Sequence, residues 1–319
     1  MPRASEIEFS SYGMNTDITC KAYGDKAKRA RACVVKEIRK LENKLSRFIP
    51  SSEIGRLNRS AGKAPVKVSP ETFAILGLAI HYSEISHGLF DISIGPLMDV
   101  WDIAHASYAP SRDGISQASC LVGYHDLTLN WQERTAMLRK PGQSIDLGGI
   151  GKGYASDRCI EVLQGIGITS AAVNIGGNVS VLGAKPDGRP WQVGIRHPRK
   201  CGRLLGALDA TVGAIVTSGD YERFFMDAEG RRYHHILNPI TGHPADSGLI
   251  SVTVVACDGL TADALSTAIF VAGIEEGLEY LGRSTGAEAV LMDENQQVFI
   301  TKGLEARFRG FNGIDTNLI

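Results

Sequence analysis

The order of hydrophobic and polar positions predicts helices near both ends of the chain and short strands between them. The first helical face, with steps of four and three residues, is Val34, Ile38, Leu41, Leu45 and Phe48. This helix should end near Phe48, because Pro50 cannot continue it. A second helix is predicted to begin at Ser69–Pro70 and to end at His87–Gly88, where proline and glycine favour a start and a stop.

Short apolar runs bounded by Gly, Pro or Asp fill the middle of the chain. Strands are predicted at 127–129, 136–138, 144–147, 171–175, 178–182, 191–195, 204–208, 213–218, 248–256, 289–292 and 297–301. Further helices are predicted over 154–164, from Thr261 and from about Ile274. Because strands follow one another without alternating helices, the pattern favours an α+β fold over a doubly wound sheet.

Composition limits the class of protein. A chain of 319 residues with 43% hydrophobic content can bury a large core, as one domain over 1–319 or as two intimately packed subdomains. Lys and Arg number 34 against 35 Asp and Glu, so the charge balance gives no indication of a nucleic-acid partner. The most basic region, Lys26 to Lys44, is interpreted as the solvated outer face of the first helix.

The N-terminus and the cysteines bear on location. The six cysteines are scattered without a C-x-x-C pair, which is typical of reduced thiols in a cytoplasm. The opening MPRASEIEFSSYG has no apolar core of a signal peptide. The longest apolar runs fall short of the roughly 18–20 residues of a membrane span. We therefore expect a cytoplasmic protein without membrane insertion.

The segment IDLGGIGKGYA, from Ile145 to Ala155, contains four glycines within six residues. Such glycines let backbone amides approach a bulky polar ligand, and a helix opening behind them favours an anion. The spacing matches neither G-x-G-x-x-G nor a P-loop, because Tyr154 follows Gly153 and no Ser or Thr follows Lys152. The segment therefore predicts a phosphate or diphosphate site, with a plain strand–turn–helix corner as the alternative.

Two oxygen-bearing residues share one face of the predicted helix at 261. Asp263 and Thr267 are four residues apart, so their side chains project together. One carboxylate and one hydroxyl form a sparse site for Mg²⁺, to be completed by carbonyls, water or phosphate. The alternative is that Thr261 caps the helix and Asp263 complements its dipole.

Histidines cluster in the segment YHHILNPITGH. The spacing of His234, His235 and His243 matches no recognised zinc motif. One histidine of the adjacent pair can serve as a base, since an imidazole titrates near neutrality; an ordinary turn with exposed histidines is the alternative. In the turn at 217–221, Asp220 is expected to accept hydrogen bonds from backbone amides, and a ligand contact by this turn is the alternative.

Taken in order, these segments resemble the ApbE family, the FAD:protein FMN transferases, over nearly the whole chain. The motifs that carry the resemblance are YGMNT at 12–16, SRF at 46–48, FDISIGPL at 90–97, DLGGIGKGY at 146–154, NIGG at 174–177, TSGDY at 217–221, HILNP at 235–239 and ADALSTA at 262–268. The resemblance implies a mixed, largely antiparallel sheet with flanking helices around a deep FAD cleft.

The resemblance also implies roles for particular residues. The residues expected to contact FAD are Met14 and Phe48 at the flavin, Leu89, Phe90 and Asp91 at the adenosine, Asp146 and Lys152, and His235 beside the diphosphate. Magnesium is expected at the Asp263 carboxylate, the Thr267 hydroxyl and a backbone oxygen of Gly149. The implied catalytic residues are His235, as proton acceptor, and Asp263.

The implied reaction is transfer of FMN from FAD to a Thr or Ser hydroxyl of an acceptor protein, with release of AMP. Two alternatives stay open: a Mg²⁺-dependent FAD pyrophosphatase, and a non-catalytic FAD-binding protein. Three features depart from the family pattern. A lipoprotein signal is absent, which suggests a cytoplasmic acceptor or a lost leader; Lys152 stands where some members have an acid; and Asn238 replaces a frequent Asp.

Overall fold

The computed structural model describes residues 5–311 and 313–319. Its α-helices are α1 (Ala27–Leu45), α2 (Glu53–Arg59), α3 (Pro70–Ile85), α4 (Gly95–Trp101), α5 (Arg112–Ser119), α6 (Gly151–Gly165), α7 (Gly259–Ala272) and α8 (Ile274–Gly282). Its strands are β1 (Glu6–Gly13), β2 (Thr16–Tyr23), β3 (Val66–Lys67), β4 (Leu127–Asn130), β5 (Thr135–Leu138), β6 (Ser170–Ile175), β7 (Asn178–Leu182), β8 (Trp191–Arg196), β9 (Leu204–Ala210), β10 (Val212–Gly219), β11 (Phe224–Met226), β12 (Arg232–His234), β13 (Leu249–Ala256), β14 (Glu288–Asp293), β15 (Val298–Ile300), β16 (Phe308–Gly310) and β17 (Thr316–Leu318).

A nine-stranded sheet organises the molecule, in the order β1-β2-β6-β7-β10-β13-β14-β15-β17. Its neighbours pair antiparallel except β15 and β17, which are parallel. The predicted α+β class with a mixed, largely antiparallel sheet is confirmed. Strand β13 is buried along its whole length, so it lies at the centre of the fold.

Helix α7 is almost wholly buried and packs on β10 and β13 and against α3, α6 and α8. Its approach to α6 is close at Gly153, where a Cβ atom would overlap the carbonyl oxygen of Gly259. The main hydrophobic cluster lies between these helices, α1 and one face of the sheet. The loops at the start of α6 and the first turns of α7 are therefore held together by core packing.

The predicted strand at 144–147 is wrong. Ser144 forms a single parallel bridge with Ile94, and the rest of the segment lies in a loop, where the Asn58 side chain bonds the Ile145 backbone. The Asn58 amide accepts from the Ile145 N–H at 2.7 Å and donates to the Ile145 carbonyl at 3.0 Å. Such pairing fixes the position of the residues that follow, among them Asp146.

Other differences concern element bounds. Helix α6 begins at Gly151 and not at 154, so two of the loop glycines belong to its first turn. Strands β1 and β2 and the short helices α2, α4 and α5 were not predicted. Within the described residues, no helix is both long and apolar enough to cross a bilayer, and all six cysteines are free thiols.

Candidate functional site

The first turn of α7 is held by two aspartates that precede the proposed metal ligands. The Asp258 side chain caps the helix by accepting from the Thr261 N–H at 2.7 Å. Asp157 of α6 accepts from the N–H groups of Gly259 and Leu260 at 2.6 and 2.9 Å. The alternative in which Thr261 caps the helix is therefore wrong, because Asp258 is the cap.

Asp263 lies in the second turn of α7 with 2% of its surface exposed. One carboxylate oxygen, Oδ2, accepts from the Gly153 N–H at 2.9 Å. The other, Oδ1, lies 3.8 Å from the Lys152 ammonium nitrogen, which is beyond hydrogen-bond distance. A buried carboxylate with so few donors is stabilised by a nearby cation.

The structure brings Gly149 against Thr267, as is required if both residues are to bind one metal ion. A Cβ atom built on Gly149 would lie 3.2 Å from Thr267 Oγ1 and 3.1 Å from Phe90 Cε2. The Thr267 hydroxyl is 3.4 Å from Ser218 Oγ, which is closer to Ser266 Oγ, at 2.9 Å. The Thr267 oxygen is thus weakly engaged by protein groups and can serve another partner.

The oxygens at this position fit a hard divalent cation. Among the described residues, no group of three or more His, Cys, Asp or Glu side chains could hold a metal ion. The set at hand is one carboxylate, one hydroxyl and a glycine backbone, all oxygen donors. Mg²⁺ commonly keeps several waters and substrate phosphates around one or two carboxylates, so this donor set suits magnesium that acts together with a phosphate ligand.

Lys152 places a positive charge beside this set. Its ammonium group donates to the Gly148 carbonyl at 2.9 Å from within the first turn of α6. The glycines around it serve different purposes from those predicted. The Gly153 amide binds the Asp263 carboxylate and the Gly148 amide binds Asp146 Oδ1 at 2.7 Å, so both amides orient carboxylates of the site.

The two adjacent histidines differ in their environments. His234 is buried, accepts from the Ile236 N–H at Nδ1 and lies 3.1 Å from the Ala245 carbonyl at Nε2. His235 contacts the Arg223 carbonyl through Nδ1 at 3.3 Å. Because a carbonyl can only accept, Nδ1 of His235 carries the proton and its Nε2 is left with a lone pair.

Desolvation lowers the pKa of His235 to about 3, and the positive charges of Lys152 and Arg223 act in the same direction. His235 is therefore neutral in the ligand-free protein over the physiological range. A diphosphate placed between these cations would oppose their effect and raise the pKa of the imidazole.

Asp146 belongs to an ion-pair network centred on Arg47. The guanidinium donates to Asp146 Oδ2 at 2.9 Å and to Asp99 Oδ1 at 2.7 Å. It also lies 5.3 Å from the ring centroid of Phe48, and that ring is 78% exposed. An exposed aromatic ring fixed by a neighbouring guanidinium is a suitable surface for stacking a planar ligand.

The loop of Leu89 to Ser93 brings Phe90 to the site. Phe90 is buried and lies against Gly149, while Leu89 packs on the main hydrophobic cluster. Asp91 accepts from the N–H and Oγ of Ser93 and from the Tyr124 N–H, each at 2.7 Å. Its oxygens therefore organise the loop, and the contact of Asp91 with adenosine stays a prediction.

Met14 lies in the turn between β1 and β2 with a positive φ of 52°. Its N–H donates to Glu42 Oε1 at 3.0 Å. The neighbouring Asn15 carbonyl accepts from the Arg223 guanidinium at 3.2 Å, and Arg223 also contacts His235. The structure thus connects the Met14 turn to the histidine.

Sequence reasoning missed the roles of Arg47 and Arg223, although Arg47 stands inside the quoted SRF motif. It also assigned Asp220 to backbone amides. In the structure Asp220 instead forms a two-pronged ion pair with Arg199, at 2.7 and 2.6 Å. Arg47, Arg223 and Asp220 each bond residues that lie far away in the sequence, so residue spacing alone could not predict these contacts.

Comparison with known proteins agrees with this geometry. The model of the ApbE family matches residues 14–291. A Klebsiella pneumoniae protein named FAD:protein FMN transferase is 32% identical over 303 residues, covering 94% of this chain and 93% of the relative. A Treponema pallidum protein of the same name is 35% identical over 274 residues, covering 81% of this chain and 75% of the relative.

Solved structures agree as well. The crystal structure of the ApbE protein from Thermotoga maritima superposes with a TM-score of 0.88 at 30% identity, covering 96% of this chain and all (100%) of that one. The flavin transferase ApbE from Vibrio cholerae gives a TM-score of 0.86 at 26% identity, covering 95% and 99%. Because the family model spans most of the sequence and close relatives exceed 30% identity, this chain belongs to the ApbE family.

Proposed function

We propose that this protein transfers FMN from FAD to a Thr or Ser hydroxyl of an acceptor protein, in a Mg²⁺-dependent reaction that releases AMP. The observation that carries the proposal is that the glycine loop places Gly149 against Thr267 and Lys152 beside Asp263, and that these two oxygen-bearing residues are one turn apart on α7. The names of its relatives supply the substrate class.

The hydroxyl oxygen of the acceptor attacks the FMN-side phosphorus of FAD. A new P–O bond forms, the P–O bond to AMP breaks, and AMP leaves with the electron pair. Asp263, Thr267 and Gly149 would hold Mg²⁺, which would supply positive charge to the diphosphate and to the departing AMP. Lys152 adds a second positive charge at the same position.

His235 accepts the hydroxyl proton at Nε2, because its Nδ1–H is directed to the Arg223 carbonyl. The low pKa of His235, about 3, keeps this nitrogen unprotonated before FAD binds. The bound diphosphate then raises the basicity of the imidazole next to the attacking oxygen.

Phe48, whose ring is exposed, and Met14, which is bonded to Glu42 near the end of α1, contact the flavin ring. Asp146 is held by Arg47 and by the Gly148 N–H, so its position is set before ligand binds. Leu89 and Phe90 border the adenosine end. Preorganised contacts of this kind place the reacting phosphorus accurately.

The test is incubation of the protein with FAD, Mg²⁺ and a flavodoxin-like or membrane-complex acceptor protein, followed by intact-mass measurement of the acceptor. The expected result is a mass gain equal to an FMN phosphoester on one Thr or Ser, together with release of AMP. Free FMN and AMP without covalent product would identify a pyrophosphatase. Intact FAD after incubation would identify a binding protein.

His235→Gln provides a sharper version of this test. The amide keeps the size and a polar contact to Arg223 but cannot accept the proton as a base. We expect transfer to fall by about a hundredfold or more, while FAD binding, measured by flavin fluorescence, changes little. Equal transfer by the variant and the unmodified protein would remove His235 from the reaction.

A further inference from the structure

A groove of about 580 Å³ runs between strand β1 and one side of helix α1. Ser11 lines its strand side, and four cationic residues line its helix side: Lys28, Arg31, Lys36 and Arg39. These four are spaced three, five and three residues apart, so they follow one stripe of the helix. The groove has a cationic wall.

Acidic side chains do not neutralise that wall. Glu37 lies on α1 but bonds Lys40 at 2.9 Å, and Glu42 accepts from the Met14 N–H. On β1, Glu6 and Glu8 both pair with Lys21 of β2. Among the described residues, the groove lining itself contains no acid.

The opposite side of the groove, at Ser11, belongs to an edge strand of the nine-stranded sheet. Within the described part of the chain, β1 pairs with β2 alone and forms one end of the strand order. An edge strand presents unpaired backbone N–H and C=O groups to an extended peptide. From Lys28 to Arg39 the helix rises about 17 Å, the length of about five residues of an extended strand.

The groove leads to the candidate site. Strand β1 continues from Ser11 into the Met14 turn, which is tied to the end of α1 through Glu42. The next residue, Asn15, is bonded to Arg223, and Arg223 contacts His235. A chain that lies along β1 in the groove therefore points towards the Met14 turn, which Arg223 connects to His235.

We propose that this groove binds an acidic, extended segment of the acceptor protein, next to the Thr or Ser that receives FMN. This inference rests on the proposed function, since it assumes that the site modifies a protein. Backbone groups of β1 pair with the segment, and its carboxylates face the cationic wall of α1. The basic residues of α1 that line the groove would then bind the acceptor, and the interpretation of a solvated face would apply to basic residues outside the groove, such as Arg29.

The shape of the surface favours a peptide over a lipid bilayer. The cations line one side of a concave channel whose other side is a strand edge, whereas a bilayer presents a broad, flat surface. The edge strand also offers a row of backbone hydrogen bonds, with which an extended peptide can pair in register and phospholipid headgroups cannot.

The test uses the full chain and a fluorescein-labelled peptide of about ten residues, with Asp at alternate positions before a single Thr. A second peptide with Lys in place of each Asp is the matched probe. We expect fluorescence anisotropy to show that the acidic peptide binds about tenfold or more tightly than the basic one. Equal binding of the two peptides would overturn the proposal.

Variants then locate the binding. Lys36→Glu with Arg39→Glu should weaken binding of the acidic peptide by about tenfold or more. The control, Lys26→Glu with Arg29→Glu, makes the same charge change at the N-terminal end of α1, outside the groove, and should leave binding unchanged. Loss of binding in both double variants, or in neither, would contradict a docking site in the groove.

Two further measurements separate this proposal from its alternatives. In the first, anionic phospholipid vesicles replace the peptide. If vesicle binding depended on Lys36 and Arg39 while peptide binding did not depend on these residues, the occupant would be a membrane and the proposal would be overturned. FMN transfer to the peptide is followed by mass. Groove-dependent binding without transfer would reject the proposed function and keep the groove, whereas transfer equally efficient in both double variants would reject the groove alone.

Discussion

The backbone N–H of Gly153 donates to the Asp263 carboxylate at 2.9 Å, across the contact between α6 and α7. A Cβ atom on Gly153 would lie 2.7 Å from Asp263 Cβ and would overlap the Gly259 carbonyl. The glycine therefore allows two helices to approach closely enough for a main-chain group of one to orient the carboxylate of the other. The predicted ligand site depends on helix packing.

This relationship makes Gly153→Ala informative. The added methyl group must separate α6 from α7, so we expect a loss of about 2 kcal/mol in the free energy of unfolding. The Gly153 amide would also move away from Asp263, so Mg²⁺-dependent turnover should fall by more than the loss of folded protein. Chemical denaturation and transfer assays on the same sample measure the two effects.

Gly165→Ala is the matched control at the other end of α6. No atom lies within 4 Å of a Cβ built there. Alanine should then raise the free energy of unfolding by about 0.5 kcal/mol through helix propensity. Similar destabilisation by both alanines would show that the close contact is not what requires glycine at 153.

The Thr267 hydroxyl can be tested apart from the carboxylate. Thr267→Val keeps the shape but removes the oxygen that faces Gly149, so we expect the Mg²⁺ concentration for half-maximal turnover to rise by about tenfold to a hundredfold. Thr267→Ser restores a hydroxyl on the same atom and should recover most of the affinity. A valine variant with the magnesium dependence of the unmodified protein would exclude this oxygen as a ligand.

The predictable parts of the site are those whose residues lie close together in the sequence. Asp263 and Thr267 are one helical turn apart, so a correct helix prediction was enough to place both oxygens on one face. The helices α1 and α3 and most central strands followed from periodicity and from Pro and Gly positions in the same way.

The remaining parts depend on contacts between distant segments. The Ile145 backbone bonds the Asn58 side chain and Ser144 forms only an isolated bridge with Ile94, so the local pattern indicated a strand where a single bridge forms. Gly153 is required by α7, more than a hundred residues further along the chain. Its amide binds a carboxylate, where the glycine-rich pattern had indicated a phosphate. Sequence spacing carries no information on such pairs without the fold.

Arg47 offers a test of how the site is arranged for its ligand. Its guanidinium bonds Asp146 and Asp99 at once and lies beside the Phe48 ring. Lysine cannot make this forked arrangement, so Arg47→Lys should raise the KM for FAD by about tenfold, with a smaller effect on kcat.

Arg56→Lys is the comparison for this variant, because the exposed Arg56 guanidinium makes a long contact of 3.5 Å to the Lys67 carbonyl and bonds no carboxylate of the described residues. Steady-state kinetics at saturating acceptor separate KM from kcat. If Arg47→Lys lowered kcat and left KM unaltered, Arg47 would act on the chemical step and not on binding.

Asp157 should make the stability of α7 depend on pH. Burial raises the pKa of its carboxyl to about 7, and this effect exceeds the lowering by the Gly259 and Leu260 amides. Between the unfolded value, about 4, and that folded value, the folded protein binds more protons than the unfolded chain. The contribution of Asp157 to stability therefore decreases as the pH rises through this range.

Asp157→Asn removes this titration while its amide oxygen can still accept from the start of α7. The melting temperature of the unmodified protein minus that of the variant should therefore be larger at about pH 5 than at about pH 8. Taking this difference cancels His235, whose lowered pKa has the opposite pH dependence. A difference that stays constant or grows with pH would mean that the carboxylate is stable as the anion, held by the two amides and the positive end of the helix dipole.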